Sequence, residues 1–180
     1  MRKLLFPLSI IAIVSLMTSC LSNWESNDTP RIATSMFLVN PVMQGDSVVE
    51  AKDTMLIRYD MEDDSYITDT LALGDTILFA SSFYSVSNNL VAIKMKWDST
   101  ETALWYSLGE ATQKVLTEQS DMAAGVLYFN PGYNLVSFPI YISPVVEGKT
   151  SIELVIESDS KYSTNSLRFA VPVSKVDSVS

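Results

Sequence analysis

The chain has 180 residues, with 12 Lys and Arg against 21 Asp and Glu, no His and one Cys, and a formal net charge of −9. A surface of that sign repels nucleic-acid phosphates and anionic lipid headgroups, which excludes nucleic acid as a partner class. The lack of His excludes Ser-His-Asp and Cys-His nucleophile systems and His-ligated zinc or iron sites, and the sequence contains neither a GxxxxGK[ST] nor a GxGxxG phosphate loop.

At the N-terminus, Arg2 and Lys3 precede an apolar stretch from Leu4 to Met17, and the small residues Thr18 and Ser19 lead to Cys20. Basic, apolar and small residues in that order describe an export signal. The stretch is shorter than the roughly 20 apolar residues of a spanning helix, and Pro7 interrupts it. Met17-Thr18-Ser19-Cys20 resembles the lipobox of bacterial lipoproteins, with Met17 where Leu is usual. The resemblance implies a signal peptide over 1–19, cleaved before Cys20, and acylation of the Cys20 sulfur. No thiol then remains for catalysis or a disulfide. Two or more acyl chains hold a protein on a membrane stably where one is marginal.

Loss of residues 1–19 removes Arg2 and Lys3 but no acid, so the balance moves from −9 to −11. Membrane contact is therefore expected through the lipid anchor alone, at the outer membrane, on its periplasmic face or at the cell surface. Glu25 and Asp28 lie close behind Cys20, as acids do in similar lipoproteins that reach the surface. Residues 20–30 have the polar composition of a solvated, lipidated tether. Residues 31–180 are enough for one domain.

Within that domain the dominant period is two. The early segments are "IATSMFLV" from Ile32, "TMLIRY" from Thr54, "YITDTLAL" from Tyr66 and "TILFASSFY" from Thr76. "NLVAIKMKW" then places Val91, Ile93, Met95 and Trp97 on one side, which makes Trp97 a core residue. "GVLYF" follows from Gly125, and "LVSFPIYIS" aligns Val136, Phe138, Ile140 and Ile142. In "SIELVIES" the residues Ile152, Leu154 and Ile156 face one way and Glu153, Val155 and Glu157 the other; in "NSLRFAVPV" Leu167, Phe169, Val171 and Val173 share a face. Pro139 and Pro172 cannot donate to a ladder and are expected at an edge or a bulge. Turn residues at Gly45, Gly74, Ser87, Asn130 and Glu147 separate the runs. Eight to ten short strands with this spacing predict an all-β, antiparallel sandwich.

One segment departs from the alternation. Over 98–118, Leu104, Leu108, Ala111 and Val115 follow helical spacing, with Asp98 or Ser99 available as a cap and Gly109 as an interruption. A short helix near 100–116 and a strand followed by a loop both satisfy it.

The segment "GVLYFNPGYNLVSFPIYISPVVEGKTSIELVIESDS" with "NSLRFAVPV", about residues 125–175, is similar to the last strands of immunoglobulin-like domains in small outer-membrane lipoproteins of gut-type Gram-negative bacteria. The resemblance implies an immunoglobulin-like envelope module, of a kind used in adhesion, surface assembly or glycan handling. It carries no shared catalytic motif onto this chain.

Three groups of residues are candidates for a site. Asp60, Glu62, Asp63 and Asp64, with Asp69 nearby, form the densest acidic cluster; calcium takes six to eight oxygens, which such carboxylates can supply, although the EF-hand spacing is absent. A solvated hairpin tip is the plainer account of the same residues. Trp105, Tyr106 and Tyr133 are candidates for stacking against a glycan, and adjacent Trp105 and Tyr106 cannot both face the core of a strand. Finally, 21 acids offer carboxylate pairs for glycoside hydrolysis, whose separation only the fold determines. The sequence therefore predicts a non-catalytic binding or structural protein of the cell envelope without a cofactor, whose partner is an envelope protein or a glycan. A carbohydrate-binding accessory protein comes second and an envelope hydrolase third.

Overall fold

The computed structural model describes residues 28–175 apart from residue 46. Cys20, the expected export signal and most of the expected tether lie outside the described residues. The chain enters the domain at Pro30, which is buried and whose carbonyl accepts a hydrogen bond from the Asn165 amide at 2.9 Å.

The N-terminal half forms short strands: β1 (Arg31–Thr34), β2 (Phe37–Val39), β3 (Val42–Gln44), β4 (Ser47–Glu50), β5 (Asp53–Met55), β6 (Ile57–Asp60), β7 (Ser65–Thr68) and β8 (Leu71–Ala72). Longer ones follow as β9 (Ile77–Tyr84) and β10 (Leu90–Trp97), then β11 (Thr102–Tyr106) and β12 (Val126–Tyr128). The last three are β13 (Leu135–Pro144), β14 (Gly148–Ser158) and β15 (Thr164–Ser174). One sheet runs β11-β13-β9-β2-β5, with β1 also on β9; the other runs β12-β10-β14-β15-β7-β6, with β8 also on β15. Strands β3 and β4 form a separate hairpin. The molecule is an all-β sandwich, antiparallel throughout except where β15 pairs with β7 and β8.

The fifteen strands exceed the eight to ten expected because single apolar runs are divided. "IATSMFLV" becomes β1 and β2, both on β9, with Ser35 between them exchanging backbone and hydroxyl bonds with Ala80. "TMLIRY" changes sheets at Leu56, where Asp69 receives the Leu56 N–H on Oδ2 at 3.0 Å and returns its own N–H to the Leu56 carbonyl at 3.2 Å.

The two inner faces meet in one apolar core. Phe37 stacks on Phe79 at 4.4 Å and meets Phe169 edge-on at 5.1 Å, which ties β2, β9 and β15 together across the sandwich. The predicted alternation holds for Val136, Phe138, Ile140 and Ile142 and for Ile152, Leu154 and Ile156, all buried. It fails at Val91, which is exposed, because a bulge between Leu90 and Ala92 shifts the ladder against β14 and sends Leu90 inward instead. Val155 is also buried although it faces outward: it sits in register between Lys94 and Ser166, and Lys94 bonds Glu157 at 2.6 Å, so the lysine stem covers it.

Both prolines lie inside sheets, not at their edges. Within a strand the N and O of one residue point the same way, and the Pro139 carbonyl accepts from Ser107 N–H, just past the end of β11. The missing donor therefore faces a place where no strand continues. Pro172 repeats the arrangement: Ser174, two residues on, bonds toward β8, so Pro172 faces the break between Thr68 and Leu71.

The ambiguous segment resolves into a strand and a loop. Thr102–Tyr106 is β11, and the helix α1 is a single turn, Glu110–Gln113, without a side-chain cap. Asp98 caps nothing helical; its carboxylate accepts the Thr100 N–H at 2.8 Å and hydroxyl at 2.6 Å in the turn before β11. Leu108 and Val115 are buried from the loop, which accounts for their apolar spacing, whereas Ala111 is exposed. The β-branched and aromatic residues of "TALWY" prefer the pleated edge that β13 offers them.

Candidate functional site

On β13 the inward set leaves Ser137, Pro139, Tyr141 and Ser143 facing out, and the ladder sets a partner beside each. Trp105, Tyr141, Leu78 and Leu38 form one continuous cross-strand row. Trp105 and Tyr141 stack with ring centroids 5.5 Å apart and planes 3° from parallel. Trp105 is 44% exposed and stands on the edge strand, so its face away from Tyr141 has no neighbouring strand to cover it.

Next to this row, the β3–β4 hairpin walls a groove of about 270 Å³ with Met43 and Val48, over a floor that includes Leu38, Leu78, Ala80 and Pro139. Polar rows bound the apolar band on both sides. Ser82 and Ser137 share a hydrogen bond at 2.7 Å on one side, and Ser143 donates to the Asp75 carbonyl at 3.2 Å on the other. An apolar strip with polar margins, on the outside of a sandwich, is the kind of surface that partners cover.

The sequence-predicted aromatic residues divide. Trp105 belongs to the outer face. Tyr106, its neighbour, turns inward and packs against Phe138 at 5.6 Å, and its hydroxyl donates to the Met122 carbonyl at 2.6 Å. Burial, with nearby Asp121, pushes its phenol up to about 12. Tyr133 is exposed in the turn before β13, where its carbonyl accepts from Leu90 N–H at 2.7 Å. It precedes Leu135, at the opposite end of β13 from Tyr141, so the fold does not bring it to Trp105. Trp97 packs half-buried against the core, as its register predicts.

Sequence reasoning missed Tyr141, Leu78, Met43 and Val48. The outward phase of "LVSFPIYIS" does mark Tyr141; its pairing with Trp105 depends on register between strands, which one sequence does not state.

The acidic cluster lies at the β6–β7 tip and its carboxylates are engaged separately. Asp60 accepts from Glu62 N–H at 3.0 Å, Asp64 accepts from the Tyr59 hydroxyl, and Asp63 pairs with Lys149 at 2.6 Å. The Lys149 bond holds Asp63 below the usual carboxylate range and raises Lys149, while the bond to Asp64 raises Tyr59. Asp69 is at the crossover already described. Among the described residues no three His, Cys, Asp or Glu come together in a way that could hold a metal ion.

The carboxylates with displaced pKa values bear on hydrolysis. Hydrogen bonds from Lys149 and from Thr100 lower Asp63 and Asp98; at Asp75, burial works upward but the bonds from Lys52 and Asn40 outweigh it. All three shifts are opposite to the raised pKa that a general acid needs.

Neither a protein-family model nor a curated protein matches this chain. Among solved structures, the chain is similar to the seventh PapD-like (ASH) domain of human CEP192, at 11% identity and a TM-score of 0.35, over 76% of this chain and 100% of that domain. The β-sandwich class stands on the two packed sheets themselves, with their inward phenylalanines and alternating faces.

Proposed function

We propose that this chain is a lipid-anchored, non-catalytic binding or structural protein of the outer-membrane envelope that engages its partner through the outer face of the β11-β13-β9-β2-β5 sheet. The observation that supports this reading most directly is the apolar band from Trp105 through Tyr141 and Leu78 to the Met43–Val48 groove. Its Trp105–Tyr141–Leu78 part sits on the paired strands β11, β13 and β9 and is therefore held in place before any partner arrives. Lipidation of Cys20 would set the domain at the membrane; Cys20→Ala should accumulate precursor and lose labelling by an alkyne fatty acid, and undiminished labelling would remove the anchor from the proposal.

The partner class favoured is an envelope protein, met in adhesion or surface assembly. The second reading, a glycan ligand, draws on one observation: the parallel Trp105–Tyr141 pair leaves a flat ring face open on an edge strand, the geometry on which a sugar ring stacks. Photo-crosslinking in cells from position 43, with position 147 at the sandwich end as control, tests the face. A discrete protein adduct at 43 that is absent at 147 and lost in Trp105→Ser is the expected result. No position-specific adduct, together with a glycan-array signal that Trp105→Ser abolishes, would replace the protein partner with a saccharide. Adducts that are identical at both positions would refute the assignment of this face.

A further inference from the structure

Strand β11 is the longest edge strand without a charge among the described residues. Ser107 N–H donates to Pro139 and Val145 N–H to Glu101, so the odd-numbered backbone groups of β11 face β13 and the even-numbered ones face out. Thr102 N–H is bonded to the Asp98 carbonyl at 2.9 Å, whereas no described residue bonds the outward groups of Leu104 and Tyr106. The strand "TALWY" has no charge and no proline, the usual protections of an edge. Other edges are guarded: β6 carries Arg58 and Asp60, β5 begins at Asp53, β1 at Arg31, Asp121 bridges β12 at Val126, and the uncharged edges β3 and β8 are only 3 and 2 residues long.

We propose that β11 pairs antiparallel with β11 of a second copy of this chain, about a two-fold axis at Leu104. Leu104 N–H and C=O then exchange bonds with the partner's Leu104, and Tyr106 N–H donates to the carbonyl of the partner's Thr102. The ladder stops there, since Thr102 N–H is already occupied. On the outer face Trp105 comes opposite the partner's Ala103, the smallest side chain of the strand, at a close non-hydrogen-bonded pair of about 4.5 Å between Cα atoms.

A second copy fits for two reasons visible in the strand itself. The alternation places a large and a small side chain, Trp105 and Ala103, two residues apart on one face, so the strand complements its own antiparallel image. In a chain of net charge −9, β11 is also a stretch where two copies meet without like charges in opposition. Pairing joins the two Trp105–Tyr141 stacks on one continuous face, with the indoles at the diagonal spacing of about 7–8 Å. The inference does not rest on the ligand reading above.

Five residues per copy make a small interface, of the weak and transient class, with a dissociation constant of about 10–100 µM. Amide hydrogen exchange and sedimentation equilibrium of the full chain test the pairing. Between about 5 and 500 µM, a range that spans that affinity, exchange at Leu104 and Tyr106 should slow about three- to sevenfold, as the monomer fraction falls, while Trp105, already bonded to Tyr141, stays unchanged. Sedimentation should report monomer and dimer over the same range. Ala103→Lys, on an exposed position, should abolish both effects and leave the melting temperature unchanged. The proposal is overturned by a chain that stays monomeric, by a dimer in which the two amides exchange as fast as in the monomer, or by a folded Ala103→Lys chain that dimerises as before. The exchange pattern of the unsubstituted chain decides the matter even where Ala103→Lys does not fold.

Discussion

Gly125 precedes β12 in the turn that receives the Tyr106 hydroxyl, and replacing it with Ala tests the packing of this corner. Its φ is +69°, and a Cβ there would lie 2.8 Å from Trp97 Cζ3, 3.1 Å from the Met95 carbonyl oxygen and 3.2 Å from Met95 Cβ. The indole tip can give way; the Met95 carbonyl belongs to a central ladder and cannot. The left-handed conformation costs an L-residue about 1–2 kcal/mol, and forcing a methyl into a filled site adds about 1–3 kcal/mol, less the small gain from a stiffer unfolded chain. Gly125→Ala should therefore lose about 2–4 kcal/mol, or about 5–15 °C in melting temperature for a domain of this size. Gly45→Ala is the control: φ is +61°, nothing lies within 4 Å of the added carbon, and only the conformational cost of about 1 kcal/mol applies. The two variants are compared by urea melts with a common m-value. Equal losses in both would refute the steric part of the reasoning and leave backbone conformation as the whole cost.

Leu154, fully buried at the centre of β14, should lose about 2–5 kcal/mol as Leu154→Ala in the same assay. Val155→Thr, which puts a hydroxyl under the Lys94 stem, should cost about 1 kcal/mol, and an equal or larger loss there would overturn the facing of the strand. Tyr106, raised to about 12 in the fold against about 10 unfolded, favours folding fully below pH 10 and loses that contribution as pH rises through 12. Tyr106→Phe should flatten the alkaline decline in stability between those limits; an unchanged decline would show that another group governs it. Calcium at saturation should raise the melting temperature no more than sodium at equal ionic strength, since the cluster carboxylates are divided among Lys149, Tyr59 and a backbone amide. A calcium-specific rise abolished by Asp63→Asn with Asp64→Asn would establish a metal site.

Much of the sandwich is present in the order of residues alone, because a half-buried strand needs one apolar side chain in two, and the inward positions over 136–142 and 152–156 meet that need without a gap. The same rule sends the adjacent Trp105 and Tyr106 to opposite faces of one strand. Local order does not state where a ladder slips or ends. The bulge at Leu90 turned Val91 outward, the sheet change at Leu56 divided one apolar run, and the gaps beside Pro139 and Pro172 let two residues that cannot donate sit inside sheets. Leu104, Leu108 and Val115 show the converse: helical spacing arose from a strand followed by a loop, each burying its apolar residues by a different route. The candidate site depends on register most of all. Trp105 and Tyr141 are far apart in the chain, and only the offset of β11 along β13, set by inward burial on both strands at once, brings one ring against the other.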